Sequence, residues 1–133
     1  MTEIPTFVTH LECGLTGKHY PADQLHGLSE AGRPLLVRYD LDALKHAVTK
    51  EDIASRAPEF WRYREFLPVR RAENVIRLGE VMTPLVSAPA LQRELGCGEI
   101  LVKEEGRLPT GSFKARGLAL AVAMAKELGV KRM

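Results

Sequence analysis

Between residues 112 and 128 the chain places Leu118, Ala119, Leu120, Ala121, Val122, Ala123, Met124, Ala125 and Leu128, with Gly129 just beyond. Alanine and leucine favour helix, and a glycine suits its C-terminal stop. The apolar positions run round nearly the whole circumference, and such a helix is normally buried on most faces. Upstream, residues 99–104 read Glu-Ile-Leu-Val-Lys-Glu between Gly98 and Gly106, which predicts a buried strand. A polar turn joins the two. This β–loop–α unit predicts the beginning of an α/β domain.

The turn and helix start read Pro109-Thr110-Gly111-Ser112-Phe113-Lys114-Ala115-Arg116-Gly117. Lys114 falls in the first helical turn, near the positive dipole end. Burial and the dipole both disfavour an ammonium there and favour the neutral amine that Schiff-base chemistry needs. Backbone N–H groups at the same helix start suit an anion such as phosphate. Gly111 permits close backbone approach, and Thr110 and Ser112 offer hydroxyls and a cap. The residues also fit an ordinary first-turn lysine beneath a Thr110 or Ser112 cap. Phe113 reads either as core or as a frame for a ligand, with packing favoured. Arg116 reads as the partner of a nearby acid.

At these residues the chain resembles the fold-type II pyridoxal-phosphate enzymes, and among them the threonine synthases. The segment 109–114 is similar to their cofactor-lysine motif, and Lys103-Glu104 closes the strand before it. Thr83-Pro84-Leu85, after Leu78-Gly79-Glu80, resembles the segment opening their catalytic part. Residues 11–41 resemble the N-terminal extension of plant-type threonine synthases. The chain departs from the pattern at Ala115, where many relatives carry Asp.

The resemblance implies an α/β fold: a small sheet-bearing extension, then the start of a fold-type II domain in a chain that stops early. It implies three parts, at 1–40 (extension), 41–82 (helical linker) and 83–133 (incomplete catalytic domain). It implies that Lys114 holds pyridoxal phosphate as a Schiff base and acts catalytically, with Ser112 and Phe113 also binding cofactor. The reaction implied is conversion of O-phosphohomoserine and water to threonine and phosphate. A small amino-acid substrate and a homo-oligomeric parent follow. The family's glycine-rich phosphate loop, its Asn-containing loop and its group facing the pyridine nitrogen lie beyond the lysine helix, so the isolated chain is expected to be inactive. A threonine dehydratase-like β-eliminating lyase is the nearest alternative. A non-catalytic module that pairs with a longer chain is another, from a different class.

The balance of the sequence is ordinary. With 133 residues, 45% of them hydrophobic, one modest core is expected. Nineteen basic against 17 acidic residues leave a net charge of +2, which argues no nucleic-acid role. Arg62, Arg64, Arg70, Arg71 and Arg77 interleave with Trp61, Tyr63 and Phe66. That pattern can bind single strands, but a solvated helix face explains it better. Neither a secretory leader nor a membrane-length apolar run is present, so a cytoplasmic, membrane-free location is expected. Cys13 and Cys97 are then expected to stay reduced.

Strands are predicted at 6–11 and 33–39, separated by glycine- and proline-rich turns. His10, Cys13, His19 and His26 cluster there, and Cys13 to His19 has a metal-like spacing. Thr16 stands where a zinc ribbon would carry its second cysteine, so no metal site is expected. Residues 40–56 predict a helix broken near Thr49, where Thr49 and Asp52 suggest a new start. Residues 59–67 predict a short helix ended by Pro68. An extended lead-in follows at 83–86, then a helix at 88–95 stopped by Gly96. Residues 130–133 read as the start of another strand.

Overall fold

A computed structural model describes residues 2–132. Strands β1 (Val8–Cys13), β2 (His19–Pro21) and β3 (Leu35–Tyr39) form an antiparallel sheet in the order β2-β1-β3. β1 begins two residues later than the sequence suggested. β2 was not foreseen, because three residues are too few to show an alternating pattern. The turn before it passes through Gly17 at φ +71, a left-handed conformation that glycine adopts without strain.

The β1–β3 register slips between Val8 and His10, which makes Thr9 the extra residue of a bulge. Side chains alternate along a strand, so residues five apart would normally face opposite ways. The bulge lets both Val8 and Cys13 be buried. His10 and Glu12 take the other face, opposite Arg38 and His19 respectively.

Two short helices follow, α1 (Leu41–Ala47) and α2 (Lys50–Ser55). The break falls at Thr49, as the capping signal indicated. Thr49 Oγ1 accepts the Asp52 N–H at 3.0 Å, and Asp52 Oδ2 accepts the Thr49 N–H at 2.9 Å. The helix expected at 59–67 is a 3-10 segment, Phe60–Phe66. Arg64, Arg70, Arg71 and Arg77 are exposed, as a solvated face requires, but Arg62 is not. Arg62 is buried, and its guanidinium donates to the carbonyls of Ile53 and Ala54 at the end of α2, where a cation is favoured. Arg56 grips Glu65 through two bonds of 2.7 and 2.8 Å, and Arg77 pairs with Glu59 at 2.8 Å.

Trp61, Leu67, Val69 and Ala123 form the buried core cluster, with Leu120 and Met124 packed against it. The Trp61 indole N–H donates to the Ile76 carbonyl at 2.8 Å, so its one polar atom is satisfied inside the core. Thus the segment after α2 wraps one face of the last helix.

The remaining elements are β4 (Leu85–Ser87), α3 (Pro89–Leu95), β5 (Leu101–Lys103) and α4 (Lys114–Glu127). β4 and β5 pair antiparallel, and α3 ends at Gly96 with φ +60. The sequence predicted a buried strand at β5; the structure instead leaves all three of its residues exposed. β4 is its only partner strand among the described residues. α4 differs in the same way. It buries Ala115, Ala119, Ala123 and Ala125, while Leu118 and Val122, on the flank of the alanine stripe, stay exposed. Residues 130–132 hold no regular structure, and Met133 lies outside the described residues. Among the described residues no helix is long and apolar enough to cross a membrane.

Candidate functional site

Lys114 is the first residue of α4, and the loop 108–113 delivers it there from β5. Gly111 turns that loop at φ +66, a conformation costly for any other residue. Thr110 Oγ1 donates to the Ser112 carbonyl, and Ser112 Oγ accepts the Lys114 N–H, both at 3.3 Å. Ser112 is half-buried, so its hydroxyl serves the loop and helix start at once.

Three sequence expectations change here. First, Lys114 is exposed rather than buried within this chain. It lies one and two turns from Leu118 and Val122, on the uncovered face of α4. Second, Phe113 is 67% exposed rather than packed in the core. Third, the helix start is not an open anion cradle. The N–H groups of Ala115 and Arg116 donate to the carbonyls of Ser112 and Phe113, and Ser112 Oγ takes that of Lys114.

What fixes the lysine's position is a charge network that sequence reading glimpsed only at Arg116. Glu105 accepts from Arg116 Nε at 2.7 Å and from Arg116 Nη2 at 3.0 Å. The Thr83 hydroxyl donates to the same carboxylate, and Arg116 Nη2 also reaches the Val81 carbonyl at 2.9 Å. Hydrogen bonds from Arg116, then from Thr83, hold the Glu105 carboxyl down to about 2. The network ties three stretches together: the lead-in to β4, the end of β5 and the first turn of α4.

The two lysines near this turn differ sharply. Lys103 Nζ donates to the Thr83 carbonyl at 2.9 Å and lies 3.8 Å from Glu105. Lys114 Nζ makes no hydrogen bond or ion pair among the described residues. One amine is committed to structure; the other is unpaired among the described residues. Pairing of Glu105 with Arg116 could be anticipated from composition, but nothing in the sequence singled out Glu105 over Glu104.

The family profile described as "Pyridoxal-phosphate dependent enzyme" matches residues 76–133, the stretch that carries this network and Lys114. The chain belongs to that family of pyridoxal-phosphate enzymes, as an α/β chain whose second half is the start of a fold-type II domain. Within it, the chain groups with the threonine synthases. It is 41% identical to the threonine synthase of Methanocaldococcus jannaschii over 119 residues, covering 90% of this chain and 29% of that protein. It is 36% identical to that of Methanosarcina acetivorans over 122 residues, covering 91% and 29%. A shorter match, 51% over 67 residues, links it to the threonine synthase of Halalkalibacterium halodurans, covering 50% of this chain and 19% of that protein. The chain thus spans less than a third of the length of these curated relatives. No solved structure matches it.

Proposed function

We propose that this chain supplies the cofactor lysine of a threonine synthase, with Lys114 Nζ as the attachment point for pyridoxal phosphate. The observation that carries the reading is the free ε-amine of Lys114 beside the committed one of Lys103. The bound cofactor would act as the electron sink for chemistry at the substrate's α and β carbons. Lys114 would hold it and then move protons at the substrate from the same Nζ. Phe113, exposed beside Lys114, would frame the ring, and the Ser112 hydroxyl would present a donor at the loop. The Glu105–Arg116 clasp would keep the helix start in register with β5, so that Nζ meets the cofactor at a set distance.

The reaction proposed is conversion of O-phosphohomoserine and water to threonine and phosphate. A β-eliminating lyase acting on threonine is the neighbouring reading. The matches to threonine synthases over 119 and 122 residues, about nine-tenths of this chain, favour the synthase. The exposed apolar residues Leu118, Val122, Leu101 and Val102 support placement of α4 and β5 against further protein. That protein would be more of the same polypeptide, or a longer partner chain if the module acts alone. On either reading the chain by itself turns over little or no substrate.

The test is made on the protein as purified from its source. Borohydride reduction should fix a cofactor adduct, and peptide mass analysis should place it on Lys114. Phosphate release from O-phosphohomoserine with threonine as product should accompany it. In Lys114→Ala the adduct and the cofactor absorbance should vanish while the circular dichroism spectrum is kept. An adduct on Lys103 would sink the residue assignment. Deamination of threonine without phosphate release would sink the synthase reading.

A further inference from the structure

The three-stranded sheet carries a group of side chains that the lysine site does not use. Glu12 and His19 are direct partners across β1 and β2, and His10 lies two residues along β1 on the same face. Glu12 Oε2 is 3.6 Å from His19 Nε2 and 4.0 Å from His10 Nε2. The two imidazoles lie with centroids 3.9 Å apart, and one ligand atom from each of the three residues falls within 4.8 Å of the others. Cys13, which sequence spacing had linked to His19, does not join them. It points to the buried face, with its Sγ 3.1 Å from Ser29 Oγ.

The surroundings orient these atoms. Thr9 Oγ1 donates its single proton to the Arg38 carbonyl at 3.1 Å. It lies 3.0 Å from His10 Nδ1 and must therefore accept there, so Nδ1 carries a proton. The bulge brings the adjacent Thr9 and His10 side chains close enough for this. His10 Nε2, a lone pair in the neutral ring, is enclosed and without a hydrogen-bond partner. Such an atom costs free energy unless something occupies it. Arg38 holds the other carboxylate oxygen, Glu12 Oε1, and turns Oε2 toward both rings.

We propose that His10 Nε2, His19 Nε2 and Glu12 Oε2 form a three-ligand site for a divalent transition-metal ion, zinc by its ligand set, that staples β2 to β1. Two imidazoles and one carboxylate are borderline donors suited to zinc, and three protein ligands leave a position for water. Metal–ligand distances of about 2.1 Å set ligand atoms about 3.4 Å apart in a tetrahedron. The observed 3.6 and 4.0 Å exceed that by about 0.2 and 0.6 Å, and the histidine–histidine edge lies within 4.8 Å, so the site closes by side-chain movement. The Thr9 hydroxyl on His10 and Arg38 on Glu12 are the outer partners that metal ligands commonly carry.

The untagged full chain, stripped of metal, is titrated with Zn2+ by calorimetry, and bound metal is counted by elemental analysis. One ion per chain is expected. His19→Gln, at an exposed position that the fold does not need, should weaken binding by more than the roughly 10–100-fold typical of losing an outer partner. Thr9→Val should weaken it by about tenfold. His26→Gln and Cys97→Ser should leave it unchanged. Co2+ in place of Zn2+ should give weak visible bands alone. No saturable binding, equal affinity in His19→Gln, loss of binding in Cys97→Ser, or an intense sulfur-to-cobalt band would each overturn the site.

Discussion

Replacing Glu105 by glutamine tests what locks the lysine helix to the strand before it. The change removes a carboxylate that takes two N–H groups from Arg116 and the hydroxyl of Thr83. The Arg116 and Glu105 side chains are 23% and 22% exposed. Fully exposed pairs contribute about 0–1 kcal/mol, and breaking a buried pair costs about 3–5 kcal/mol. A pair one-fifth exposed lies between, so a loss of about 2 kcal/mol is expected, in line with hydrogen bonds to a charged group. The pH dependence has a definite sign. The folded carboxyl sits at about 2, below its ordinary 4.5, so its contribution is complete above about 4.5 and is lost as pH falls through about 2. Urea unfolding of the wild type, Glu105→Gln, Arg116→Gln and the double variant should give a coupling energy of about 1–2 kcal/mol near neutral pH. The gap between wild type and Glu105→Gln should narrow by about pH 3. Additive single losses, or a gap that ignores pH, would refute the clasp.

Three further outcomes follow from other parts of the molecule. Thr49→Ala removes the reciprocal cap of α2 and should cost about 1 kcal/mol in chemical denaturation, with the loss traced to residues 49–55 by faster hydrogen exchange. Ala123 is fully buried against Trp61 and Val69, so Ala123→Leu should destabilise by about 1–3 kcal/mol and lower the melting temperature. Hydrogen bonds with Ser29 and then Thr16 bring the Cys13 thiol down to about 6, which favours thiolate, yet the residue is only 1% exposed. Access should decide: with iodoacetamide, Cys97 should be alkylated in the native protein and Cys13 only after unfolding, as mass spectrometry would show.

Local signals were legible wherever backbone chemistry speaks through few residues. Thr49 with Asp52 marked the helix break, Pro68 the end of the 3-10 segment, and Gly96 the stop of α3, because each acts on its own neighbours. Lys114 and its loop stood out for the same reason. Burial was not legible. The apolar run at Leu101 and Val102 and the leucines of α4 predicted cover that depends on whatever packs against them, and no local pattern encodes that. The histidine–glutamate group was hidden for another reason. His10, Glu12 and His19 meet only through the β1–β2 register and the bulge at Thr9, and three-residue β2 shows no alternation to reveal it. Arg62 was misread as solvated because its acceptors, the carbonyls ending α2, come from backbone eight and nine residues earlier.

α4 is held at both ends by different stretches of chain. Arg116 clasps Glu105 near its start; near its end Glu127 receives Arg71 and Asn74, and Lys126 reaches the Glu73 carbonyl. Mechanically it is a beam pinned at two supports, with a flat alanine face seated on the core between them. Such a beam resists rolling about its axis and sliding along it. Movement of the Lys114 amine must therefore come from its own four-carbon stem, and the helix itself serves as the fixed reference from which that reach is measured.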